Sequence, residues 1–76
     1  MNAAELEAWL VARISAETGL KPDEIDVHLP FARLGLDSPA AVALTGELED
    51  VLGQTLDPTL VFEFPTISRL AQHLAS

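Results

Sequence analysis

The 76-residue chain has no cysteine and no tyrosine, one tryptophan, and only four lysines and arginines. Without cysteine there can be no disulfide framework, no zinc knuckle and no thiol nucleophile, and the composition fits a reducing compartment. No apolar run approaches the roughly 18 residues needed to cross a bilayer. The segment after Met1 turns acidic by Glu5 with no basic stretch ahead of an apolar one, so no secretory leader is expected either. We expect a soluble, cytoplasmic chain. The shortage of basic residues also limits the partners. Against twelve acidic residues it leaves a formal charge of −8, which argues against nucleic acid or an anionic membrane and for basic protein surfaces. Acidity that only keeps a small monomeric domain soluble is the other reading, and composition does not separate the two.

A chain of this length makes one domain, near the lower limit of what a single hydrophobic core supports without disulfides or metal. It leaves little room for a catalytic pocket assembled from several residues. Asn2, with Glu5 three positions later, is a capping-box start, and Leu6, Leu10 and Ile14 then recur at helical spacing with Trp9 and Val11 beside them. These residues predict a first helix over Ala3–Thr18, closed by Gly19 in the left-handed conformation. Trp9 is read as a core or boundary residue rather than a ligand-stacking one.

From Leu20 to Leu36 the chain reads as a long connection, broken by Pro22 and Pro30. Its spaced apolar residues, Ile25, Leu29, Phe31 and Leu34 among them, are expected to tack it across the bundle. His28 has no second histidine or cysteine nearby and is read as a loop residue rather than a metal ligand.

The segment Leu34-Gly35-Leu36-Asp37-Ser38-Pro39 delivers the chain into a second helix, about Ser38–Leu52. Asp37 and Ser38 both cap helices well, and Pro39 suits the first helical position, which makes Ser38 the expected N-cap. A serine oxygen at the positive end of a helix is a place to put a phosphate, with Asp37 as an anionic neighbour. A plain cap explains the same residues. Along this helix Ala41, Leu44, Leu48 and either Val51 or Leu52 form the core stripe. The opposite side carries Pro39, Ala43, Gly46, Glu47 and Asp50, with Glu49 flanking. Gly46 costs about 1 kcal/mol relative to alanine inside a helix, and acids at a helix C-terminus oppose its dipole. Locally unfavourable choices of this kind occur on functional surfaces, so the face reads as a docking site or as a merely solvated one.

Gly53 closes the second helix. Thr59 to Phe64 is too short for a full helix, and as a strand it would have no partner, so a single helical turn is expected. Thr66 then caps a last helix with Ile67, Leu70, Ala71 and Leu74 inward, and His73 suits its C-terminal end. The predicted fold is all-α: a small four-helix bundle of three main helices and one short one.

Taken together, these residues resemble an acyl carrier protein domain. The resemblance rests on Leu34-Gly35-Leu36-Asp37-Ser38, on Val42, Leu44, Leu48 and Glu49 along helix two, and on Leu56, Pro58-Thr59-Leu60-Val61-Phe62 and Pro65-Thr66-Ile67 before the last helix. This later stretch is similar to that of modular (type I) polyketide synthase carriers. The resemblance implies that Ser38 bears a covalent 4'-phosphopantetheine arm, installed from coenzyme A by a magnesium-dependent phosphopantetheinyl transferase. It further implies a non-catalytic domain, possessing no metal site of its own, whose arm carries acyl thioesters between acyl-loading, ketosynthase and other polyketide or fatty-acid synthase domains. Asp37 would support the transfer, and Leu36, Pro39, Val42, Glu47, Glu49 and Asp50 would contact partners.

The chain also departs from the family pattern. Pro39 replaces a large apolar residue after the serine, Ala43 replaces an acid and Gly46 an apolar residue, while Glu49 and Asp50 keep the acidic positions. Peptidyl carriers tend to have Gly-Gly where this chain has Gly35-Leu36, which favours an acyl carrier. A peptidyl carrier of a nonribosomal peptide synthetase remains the alternative. The others are an acidic helical interaction domain with Ser38 as a plain cap, and a hydrolase using Ser38 with His28 or His73.

Overall fold

The computed structural model describes residues 1–75. Four helices follow one another: α1 over Ala3–Thr18, α2 over Ser38–Leu52, α3 over Leu60–Glu63 and α4 over Ile67–Leu74. No strand occurs among the described residues, and none of their helices is long and apolar enough to cross a membrane.

The first helix forms as its caps dictate. The Asn2 side chain accepts from the Glu5 N–H at 2.8 Å, and the Glu5 carboxylate accepts from the Asn2 N–H at 2.9 Å. Gly19, at φ 79°, turns the chain out of the helix while its N–H donates to the Ser15 carbonyl. Leu6, Leu10 and Ile14 are buried, and Trp9 packs half-buried against them at the boundary of the core. α1 and α4 pack together, Leu70 and Ala71 being as fully buried as the α1 stripe.

The long connection is more ordered than its sequence suggests. It contains two short 3-10 turns, Pro22–Glu24 and Phe31–Leu34, and Ile25, Phe31, Leu34 and Leu36 all enter the core. Backbone bonds fasten it to the α3–α4 junction: Phe31 N–H donates to the Pro65 carbonyl at 2.9 Å, and Ser68 N–H to the Val27 carbonyl at 3.0 Å. Pro22 and Pro30 stop long helices but suit short turns, because the first residues of any helical turn need no N–H partner. Gly35, at φ 94°, then reverses the chain into Leu36 and the start of α2.

On α2 the buried stripe is Ala41, Leu44, Thr45 and Leu48. Of the two residues considered for its end, Leu52 packs against the core while Val51 is 42% exposed. Thr45 is an addition to the expected stripe. It is almost fully buried, and its hydroxyl reaches the Ala41 carbonyl at 3.5 Å, a long bond of the kind that lets threonine sit inside a helix. The expected single turn is α3, with Leu60 and Val61 buried, and Thr66 caps α4 by accepting from the Arg69 N–H at 3.1 Å.

Candidate functional site

The start of α2 departs from the sequence expectation in one respect that matters for chemistry. Asp37, not Ser38, is the N-cap: its backbone is extended, and its Oδ1 accepts from the Ala40 N–H at 2.9 Å. Ser38 is the first helical residue and Pro39 the second. Aspartate and serine cap about equally well, and proline is accommodated at either of the first two helical positions, so local preference leaves both starts open, and here Asp37 takes the capping role. The consequence is that the Ser38 hydroxyl is exposed and makes no hydrogen bond among the described residues.

The local electrostatics are also specific. Of the first-turn donors, Ala40 N–H is held by the Asp37 side chain, Ala41 N–H by the Asp37 carbonyl at 3.0 Å, and Pro39 has none. Ser38 N–H has no partner among the described residues. The positive end of α2 is therefore largely answered by Asp37, and an anion attached to Ser38 would be held by its covalent bond and one free N–H rather than by an open ring of donors. Asp37 Oδ2 makes no hydrogen bond among the described residues.

Beside Ser38 lies a cleft of about 90 Å³ whose lining includes Phe31, Leu36, Asp37, Ala41 and Phe62. This is far below the roughly 300–1,000 Å³ of pockets that enclose small molecules. Neither histidine lines it. His28 is an exposed loop residue whose N–H donates to Asp26 Oδ1, and His73 stacks on Phe64 with ring centroids 4.0 Å apart. The hydrolase alternative thus lacks its histidine beside the serine. Among the described residues, no group of three or more His, Cys, Asp or Glu is placed to hold a metal.

The six residues expected to contact partners fall in four places. Leu36 is only 6% exposed and offers almost no side-chain surface. Pro39 and Asp50 lie along the exposed crest of α2. Val42 and Glu49 lie within about 40° of Ser38 around the helix, on the flank that faces α3. There Val42 is 38% exposed and Phe62, across the cleft, is 56% exposed, an aromatic that the sequence reading placed in an apolar run and not at the surface. Glu47 lies about 180° from Ser38, on the flank that faces α1. It is gripped by Arg13, whose Nε and Nη2 donate to its two carboxylate oxygens at 2.5 and 3.0 Å. The third Arg13 nitrogen, Nη1, reaches Glu17 at 3.4 Å. The hydrogen bond from Arg13 to the Glu47 carboxylate raises the guanidinium above its already high ordinary pKa. Arg13 drew no attention in the sequence because its partner is 34 residues away.

Among the described residues, the serine that begins α2 is exposed and free of hydrogen bonds, and the cleft beside it is too small for a substrate chamber, an arrangement that suits a carrier-type domain better than an enzyme with its own pocket. Comparison with known proteins makes this particular. Residues 8–74 match the family model described as a phosphopantetheine attachment site. A phenolphthiocerol/phthiocerol polyketide synthase of Mycobacterium tuberculosis is 44% identical over 73 residues, which cover 96% of this chain and 4% of that protein. Among solved structures, Asl1650, an acyl carrier protein from Anabaena with a variant phosphopantetheinylation-site sequence, superposes with a TM-score of 0.90 at 35% identity, over 97% of this chain and 84% of that one. A free-standing peptidyl carrier protein from Acinetobacter baumannii gives 0.88 at 36%, over 96% and 91%.

The chain belongs to the phosphopantetheine-binding carrier family and matches the acyl carrier domains of polyketide synthases. Domains of this family carry a covalently attached 4'-phosphopantetheine, are not catalytic in themselves and interact with the other domains of their synthases. The chain spans only a few per cent of the length of the synthases it matches. The fold alone does not distinguish acyl from peptidyl carriers, since both superpose equally well. The sequence relatives, which are polyketide synthases, favour the acyl type.

Proposed function

We propose that Ser38 is the attachment residue and that residues 1–76 form a single acyl carrier domain of a polyketide synthase assembly line. The observation that carries this reading is the division of labour at the start of α2: Asp37 caps the helix, which leaves the Ser38 hydroxyl exposed and uncommitted. In the loading step, Ser38 Oγ attacks the phosphorus that bears pantetheine in coenzyme A. The phosphoanhydride bond breaks, the adenosine bisphosphate departs, and the serine proton passes to a base of the transferase. A serine phosphodiester results. Asp37 Oδ2, free of internal bonds, would be available to the transferase's magnesium.

When bound, the arm supplies a thiol that holds acyl groups as thioesters. This chain's own part is to present the serine on a rigid helix start and to leave the loaded arm outside, because the cleft beside Ser38 is too small to enclose it. The partners under this reading are a phosphopantetheinyl transferase, an acyl-loading domain and a ketosynthase. Basic surfaces on those partners would complement the net charge of this chain. The test is intact mass after incubation with coenzyme A, magnesium and a broad-specificity transferase. Wild type gains one phosphopantetheine and then accepts an acyl group onto the new thiol. A folded wild type that gains nothing, beside a known carrier that does, would overturn the reading.

A further inference from the structure

The α1 flank of α2 combines features that attract a basic partner. Ile14, Leu36, Ala40, Ala43 and Leu44 line a half-open cleft of about 30 Å³, and two carboxylates, Glu17 and Glu47, stand at its rim. Apolar surface rimmed by acids is what a basic docking surface recognises, and here it lies on the side of the helix away from Ser38. Arg13 lines the same cleft. Its guanidinium takes Glu47 through two parallel bonds and touches Glu17, so the rim carries one positive charge against two negative ones. On the Ser38 flank, Glu49 and on the crest Asp50 have no cation within ion-pair distance among the described residues.

We infer that Arg13 is a specificity-determining residue: by cancelling one of the two negative charges at the rim of the α1–α2 cleft it weakens the docking of basic partners on the flank of α2 opposite Ser38. Specificity often depends on weakening the wrong encounter as much as on strengthening the right one. Exposed ion pairs add little to stability, so the value of this one lies in where it leaves the uncompensated negative charge. This inference rests on the proposed loading of Ser38.

The test is steady-state phosphopantetheinyl transfer with the carrier as varied substrate, comparing wild type with Arg13→Gln. Unproductive docking lowers kcat and KM by the same factor and leaves kcat/KM unchanged. We expect a parallel fall of up to about threefold at low salt, the limit set by one exposed charge pair, fading at about 0.5 M salt. Adding Glu17→Gln and Glu47→Gln to Arg13→Gln restores both constants, and Arg13→Lys, which keeps the charge, stays close to wild type. A rise in KM, a fall in kcat/KM or no change overturns the inference, because each means that Arg13 contacts the partner, supports the fold or does neither. An independent arm uses wild type alone. Amide NMR shifts on titration with the transferase should appear at Ser38, Val42, Glu49 and Phe62 and be absent at Ile14, Glu17 and Ala43. Shifts at the latter three would equally overturn it. Failure of wild type to be loaded at all refutes the proposed function instead, so the two outcomes are distinguishable.

Discussion

The two flanks of α2 are built from the same helix over the same core, yet they are finished in opposite ways. On the α1 flank the charged groups are engaged: Glu47 is held by Arg13, and Arg13 also reaches Glu17. On the α3 flank the groups are left open. Among the described residues the Ser38 hydroxyl makes no hydrogen bond and Glu49 has no cation partner, and Val42 and Phe62 stand exposed. A small domain has few ways to tell a partner where to land. Under the proposed loading of Ser38, the side of the helix with open polar groups is the working side.

Three perturbations break or sharpen this contrast. The largest acts beneath both flanks. Leu48 is fully buried at the centre of the α2 stripe, so Leu48→Ala should cost about 2–5 kcal/mol, read as a lowered thermal midpoint. It should depress loading and the flank-specific NMR signals together, since neither flank survives without the core. A smaller effect isolates the Ser38 end. Asp37→Ala removes the cap and should cost about 1 kcal/mol. Ser38→Ala, which removes a hydroxyl with no internal bond, should shift stability by no more than a few tenths. Chemical denaturation of both variants checks this, and a larger cost for Ser38→Ala would return Ser38 to the role of a plain cap.

The smallest effect lies ahead of α3. Hydrogen bonds from the Thr59 backbone and hydroxyl hold the Asp57 carboxyl below its ordinary pKa of 3.8. A group depressed in the folded state adds stability that is present above its unfolded pKa and lost as pH falls through the folded value. Wild type should therefore lose slightly more of its thermal midpoint than Asp57→Asn between pH values of about 5 and about 3. Because Asp57 is exposed, solvent keeps the difference small.

Much of this was legible in the sequence, and the misses have physical causes. Local signals carried α1 completely: Asn2, Glu5, Gly19 and the Leu6, Leu10, Ile14 spacing each specify a feature set within a few residues of themselves. The start of α2 was located correctly, but the cap fell to Asp37 instead of Ser38, because either side chain can cap and proline is accommodated at either of the first two helical positions. Val51 and Leu52 could not be told apart by spacing, since the end of the stripe depends on which way the neighbouring helices lie. Leu36 looked available from its place in the motif and is buried, because Gly35 turns it inward. The Arg13–Glu47 pair was invisible for the same reason that it is informative: it joins positions that only the packing of α1 on α2 brings together.

Ser38, freed from capping by Asp37, is proposed as the residue that receives the arm, and fragmentation mass spectrometry of the transferase-treated chain tests this most directly. The expected result is one phosphopantetheine per chain, with every fragment containing Ser38 carrying the added mass and none of the fragments limited to Ser15, Thr45, Thr59, Thr66 or Ser68 carrying it. Added mass on any of those residues, or modification that persists in Ser38→Ala, would contradict it.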